Sequence, residues 1–176
     1  MQPSDEYREA FEKVFTNDLA FSRKFSDIID KILLKNLAQI RNHEKRKTNE
    51  DIKADNLGYD RTIYVPKIPI GVRMRREFYW NYFDFTVDTK EWNRSTYPNF
   101  YFYGYGNEDS LKIKFYILFN YKEFKCLVEK KLIEGKLCKN TEHSLVLFWA
   151  FSLTDILKKC KVIDYEGDIP SLEDFV

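Results

Sequence analysis

Two aromatic-rich runs, residues 97–105 and 111–119, face each other across Gly106-Asn107-Glu108-Asp109-Ser110. Bulky β-forming side chains on both sides of a short polar turn dictate an antiparallel hairpin. That commits the middle of the chain to a sheet, and the other segments must pack around it. Alternation through Phe100 to Tyr105 sends one set of rings into a core and leaves an exposed tyrosine face, a surface of the kind that binds proteins.

Ahead of the hairpin the period changes. Phe21, Phe25, Ile28, Ile29, Ile32, Leu33, Leu37 and Ile40 recur at three- and four-residue spacing, which predicts an amphipathic helix over about 18–42. Ser4 caps a shorter helix before it, with Phe11, Val14 and Phe15 as its apolar stripe and a break near Thr16-Asn17-Asp18. Residues 43–57 are polar and read as a loop. Residues 61–65 are β-like, and Pro66, Pro69 and Gly71 punctuate the next segment. Residues 72–90 form one long strand or two strands with a bend. Tyr79, Phe83, Phe85 and Val87 share its apolar face, and Asp84, Asp88 and Lys90 share the other.

After the hairpin, residues 121–134 predict a helix with Phe124, Leu127, Val128 and Leu132 on one face and Gly135 as its stop. Asn140 or Thr141 caps a last helix that runs to about Lys159. Residues 145–151 also fit a buried strand, and periodicity admits both. The element order is that of a single α+β domain. It has an N-terminal helical part (1–42), a central mostly antiparallel or mixed sheet of four to five strands (58–120), a C-terminal helical part (121–160) and an acidic tail (161–176).

Hydrophobic residues make up 44% of the 176 and aromatics 17%, enough to build a core and to exclude a disordered chain. The 29 basic and 28 acidic residues leave a net charge of +1, so bulk charge steers the chain toward neither nucleic acid nor membrane. Cys126, Cys138 and Cys160 are an odd number at no metal spacing, and read as reduced, small core residues on or near apolar helix faces. The N-terminus does not read as a signal peptide, and the longest apolar run, 145–151, is too short to cross a bilayer. The expectation is a soluble, cytoplasmic protein with no membrane partner.

Chemistry concentrates at two predicted strand ends. Asp60 opens one strand, and Asp88 and Lys90 close another. Two carboxylates and a lysine are the groups that a Mg²⁺-dependent phosphodiesterase uses to hold the ion and steady the attacking water. The plainer alternative is an exposed Asp88–Lys90 ion pair and a turn acid at Asp60. Arg41, Lys45, Arg46 and Lys47 form one basic cluster. Arg73, Arg75 and Arg76, followed by Phe78, Tyr79 and Trp80, form another. Such mixtures contact phosphates and stack bases, and equally serve as a solvated helix end or a charged edge strand. His43 and His143 lack partners at metal spacing, no phosphate-binding glycine loop is present, and Gly104-Tyr105-Gly106 reads as a turn.

The run Gly58-Tyr59-Asp60-Arg61-Thr62-Ile63-Tyr64-Val65, followed by Phe85-Thr86-Val87-Asp88-Thr89-Lys90, resembles the PD-(D/E)xK nuclease superfamily over about residues 18–120. In such nucleases an acid opens one strand, and a second acid and a lysine close the next. The resemblance implies a metal-dependent nuclease or nuclease-like nucleic-acid-binding domain in restriction-type or host–virus defence. Asp60 and Asp88 would hold Mg²⁺, and Lys90 would assist the water or stabilise charge. The chain departs from the pattern in having Tyr59 before Asp60, no evident helical glutamate, and two prolines and a glycine between the acids. The competing reading is a non-catalytic protein-binding module, an inhibitor or assembly subunit. It would use the aromatic sheet face and the acidic tail.

Overall fold

The computed structural model describes residues 16–17, 19–36, 40–43, 48–56, 59–64, 67–140 and 146–167. The helix expected after Ser4, residues Lys45 to Lys47, His143 and the chain beyond residue 167 lie outside them.

Helical turns at 19–24 lead into α1 (Ser26–Asn36), with a tight turn at Phe25, whose N–H donates to the Ser22 carbonyl at 3.1 Å. Thr16 and Asn17 are helical, and Asp18, the last residue of the expected break, lies outside the described residues. The helix also ends sooner than the apolar spacing predicts. Ile40–Asn42 is instead a strand, β1, because the backbone of β2 (Arg61–Tyr64) is available to pair with it antiparallel. Residues expected to be a loop hold α2 (Asn49–Asn56). Its start is a reciprocal cap: the Asp51 N–H donates to Thr48 Oγ1 at 3.2 Å, and the Thr48 N–H and hydroxyl donate to the Asp51 carboxylate at 3.0 and 2.9 Å.

Residues 72–90 resolve into two strands that belong to different sheets. β3 (Lys67–Arg76) ends in a 3₁₀ segment, Glu77–Tyr82. Phe83 then takes a positive φ of 39°, and β4 (Asp84–Asp88) begins. The short helix α3 (Thr89–Trp92) follows. The predicted hairpin is present as β5 (Phe100–Asn107) and β6 (Lys112–Asn120), and Gly104 and Gly106 are strand residues of β5 rather than a turn.

Helix α4 (Tyr121–Glu129) starts where Asn120 accepts the Glu123 N–H, and stops earlier than expected. Lys131, at φ 57°, turns the chain, and Gly135 opens a strand, β7 (Gly135–Lys139), instead of ending the helix. Leu147–Ser152 takes the strand alternative as β8, and α5 (Leu153–Lys159) starts from a Ser152 cap. Part of the expected tail is a strand, β9 (Val162–Gly167).

The architecture is α+β, with helices and strands mixed along the chain. Among the described residues there are two sheets in place of one of four to five strands. A six-stranded mixed sheet has the order β1-β2-β3-β5-β6-β9, and a three-stranded sheet has the order β4-β8-β7. The pair β3–β5 is parallel; the other pairs are antiparallel.

Pleating gives the large sheet two apolar faces. Ile70, Val72, Met74, Phe102, Tyr116 and Leu118 pack on Phe21, Phe25, Ile29 and Leu33 of the helical segment. Tyr101, Tyr103, Tyr105, Phe115, Ile117 and Phe119 pack on Phe83, Phe85, Val87 and Phe151 of the small sheet and on Phe124 and Ile156. The tyrosine face expected to be exposed is therefore core: Tyr101, Tyr103 and Tyr105 are all buried. The small sheet covers them and also meets the hydroxyls of Tyr103 and Tyr105. Tyr105 donates to the Asp84 carbonyl at 2.7 Å, and the Tyr103 hydroxyl lies 3.2 Å from that of Thr86. Among the described residues no helix is long and apolar enough to cross a membrane.

Candidate functional site

Asp60 lies immediately before β2, and Asp88 is the last residue of β4. Their strands do not pair. β2 lies between β1 and β3, and β4 pairs with β8, because the connection after β3 carries β4 off to the second sheet. Packing of one sheet on the other nevertheless brings Asp88 within electrostatic reach of Arg73, and Asp60 within reach of Tyr101.

Arg73 projects from β3 toward the small sheet. Its guanidinium donates to the Thr86 carbonyl at 3.0 Å and to Glu91 Oε2 at 3.0 Å. Glu91 Oε1 accepts a second bond from the Tyr101 hydroxyl at 2.9 Å. Burial pushes the Asp88 carboxyl above its usual range; the bond from the Lys90 N–H and the charge of Arg73 pull it down, and Glu91 pushes it up. The Tyr101 hydroxyl is held protonated well above its usual range, first by burial and then by Glu91. Arg73 opposes this, and Asp60 adds to it. Asp88 and Glu91 thus act electrostatically beside Arg73, Lys90 acts on Asp88, and Asp60 acts on Tyr101.

The Asp-Thr-Lys run is not a strand end carrying both functional groups. β4 stops at Asp88, whose carboxylate N-caps α3 by accepting the Lys90 N–H at 2.7 Å. Lys90 is an exposed helix residue and does not share the strand face of Asp84 and Asp88. An aspartate ahead of Thr-Lys-Glu is an effective helix cap, and that preference shortens the strand. Asp60 Oδ2 accepts the Val72 N–H at 2.5 Å, and its carbonyl accepts the His43 N–H at 2.9 Å.

Magnesium requires near-octahedral oxygen ligands at about 2.1 Å. Among the described residues no group of three His, Cys, Asp or Glu side chains could hold a metal ion. The nearby carboxylates point at protein donors: Asp60 at Val72, Asp88 at Lys90, and Glu91 at Arg73 and Tyr101. As placed, these residues do not fit the ion.

The second basic run is internally neutralised. Arg75 pairs with Asp84 at 2.9 Å and lies 4.3 Å from the centre of the Tyr79 ring, and Arg76 reaches Glu108 at 3.7 Å. With Arg73 on Glu91, each of the three arginines has a carboxylate partner. Of the first run, Arg41 lies in β1, and Lys45, Arg46 and Lys47 fall outside the described residues.

Three features escaped the sequence reading. Glu91 and Tyr101 complete the Arg73 cluster. His43 is buried, with Nδ1 3.0 Å from Asp51 Oδ1 and Nε2 2.5 Å from Thr62 Oγ1. Thr62 is two residues from Asp60, so this network adjoins the acid. Arg61 is wholly buried and donates to Asp30 at 2.8 Å and to Ser26 at 3.0 Å. The cysteines divide: Cys160 is buried and pushed up to about 12 by that burial, Cys138 is half-buried in a strand, and Cys126 is exposed. Comparison with family models, curated proteins and solved structures finds no match to the chain.

Proposed function

We propose that this chain is a nuclease-like domain that engages nucleic acid at Arg73, where β3 meets α3. The observation that carries the proposal is Arg73 of β3 bonded to Glu91 of α3, with Asp88 of β4 within electrostatic reach of both and Asp60 within reach of Tyr101, the other partner of Glu91. The β2–β3 hairpin has an acid at its mouth, as the nuclease resemblance implies, and β3 is the next strand. On that strand the cation is Arg73 rather than a lysine. Its planar fork suits a phosphodiester, which accepts two parallel N–H bonds as a carboxylate does. Asp88, with its raised pKa, is the carboxylate best suited to take a proton from water. The competing protein-binding reading loses its aromatic sheet face, because Tyr101, Tyr103 and Tyr105 are core, and keeps only the acidic tail, which beyond residue 167 lies outside the described residues. A cytoplasmic setting suits the three free cysteines, and a defence role belongs to the same reading.

The test is binding of labelled single- and double-stranded DNA and RNA, followed by incubation with Mg²⁺ or Mn²⁺. Wild type is expected to bind in a salt-dependent way, and Arg73→Gln to bind about ten-fold more weakly, the loss of one charge-assisted pair. Any metal-dependent cleavage is expected to fall at least about 100-fold in Asp60→Asn and Asp88→Asn, the scale of losing one catalytic group. Absence of binding to all four substrates by both wild type and Glu91→Gln would overturn the proposal. Undiminished cleavage by both variants would remove these acids from the chemistry.

A further inference from the structure

We infer that the Glu91–Arg73 ion pair is an autoinhibitory lock on this site, an inference that rests on the nuclease-like reading above. Glu91 is held at both oxygens: Oε2 takes the Arg73 guanidinium at 3.0 Å and Oε1 takes the Tyr101 hydroxyl at 2.9 Å. A carboxylate and a phosphate compete for the same donor fork, so a phosphodiester reaches Arg73 only by displacing Glu91. The pair is open enough for that exchange, since the Arg73 and Glu91 side chains are 20% and 19% exposed.

Two details make it a lock rather than an ordinary ion pair. Arg73 keeps a second anchor on the Thr86 carbonyl, so its guanidinium stays aimed when Glu91 leaves. Glu91 rides on α3, a single helical turn capped by Asp88, so the inhibitory group sits on a small element at the end of β4 rather than on a core strand. Asp88, which interacts electrostatically with both Arg73 and Glu91, adds negative potential to the closed state. Removing the Glu91 charge therefore both frees the fork and lowers the repulsion that a phosphate meets.

The experiment uses the full chain and a fluorescein-labelled 20-nucleotide single-stranded probe, as DNA and as RNA, titrated by anisotropy at fixed salt. Glu91→Gln is expected to bind about 5- to 20-fold more tightly than wild type, within the usual range of a coupling between two sites. Tyr101→Phe frees one Glu91 oxygen and is expected to give a smaller gain in the same direction. It also keeps the test open if Glu91→Gln fails to fold. Wild-type binding that neither variant strengthens overturns the lock and leaves the nucleic-acid reading standing. No binding by wild type or by either variant overturns that reading and the lock with it.

Discussion

At the scale of single residues, the site depends on positions with little freedom. A Cβ on Gly71 would lie 2.6 Å from the Tyr101 ring and 3.1 Å from Pro98. Gly71→Ala is therefore expected to cost about 1–3 kcal/mol in urea melts, the usual cost of overpacking, and to shift the ring that holds Glu91. Asp88 gives a prediction whose sign depends on pH. Burial raises its pKa, so the folded chain holds the proton more tightly than the unfolded chain. Its contribution to stability is full below the unfolded pKa and is lost as pH rises through the folded one. Asp88→Asn keeps an acceptor for the Lys90 N–H without the charge, and is expected to match or exceed wild-type stability at pH 7. Asp88→Ala loses the cap and is expected to fall by about 1 kcal/mol in thermal melts. Asp88 was legible in the sequence because it ends an apolar alternating run. Glu91 was not, because three residues further on it resembles any polar helix residue, and its partners Arg73 and Tyr101 lie on other strands.

At the scale of elements, α2 is held by a polar network where the sequence suggested only a loop. Its signal was present: Thr48 and Asp51 have the spacing of a reciprocal cap. Without a long apolar stripe behind it the cap does not stand out. What fastens the helix to the sheet, His43 between Asp51 and Thr62, has no local signature. Asp51→Ala removes the cap and leaves buried His43 short of a partner. It is expected to cost about 2–4 kcal/mol, read by thermal melts and by faster amide exchange across residues 49–56. The break between β3 and β4 was hidden for a different reason. Glu77–Tyr82 is rich in aromatics, which favour strands, and only the positive φ at Phe83 marks the turn. For β8, an almost wholly apolar run fits helix or strand, and pairing with β4 and β7 decides.

At the scale of the whole molecule, the two sheets share one aromatic core with Phe85 near its middle. Tyr101, Tyr103, Phe119 and Phe124 meet its ring edge-on at centroid distances of 5.1, 5.1, 5.4 and 5.5 Å. Phe85→Ala is expected to cost about 3–5 kcal/mol, a large share of the stability of a domain this size. Loss of near-ultraviolet circular dichroism before loss of the far-ultraviolet signal would be its signature. The α+β class and the central hairpin could be read in advance because their contacts are local. The second sheet could not, because its strands come from residues 84–88, 135–139 and 147–152 and meet only in three dimensions.

The link between the parallel strands β3 and β5 carries β4 and α3 within it, and so spans both sheets. Among the described residues β4 pairs with β8, which begins at Leu147. On a ribosome, Asp60, Arg73, Asp88 and Glu91 would all have emerged well before that partner existed. A nascent chain stopped short of β8 would possess every polar group of the site and lack the strand that seats Asp88 and Glu91 beside Arg73. Completion of the site in this sense waits on a strand that contributes no polar group to it.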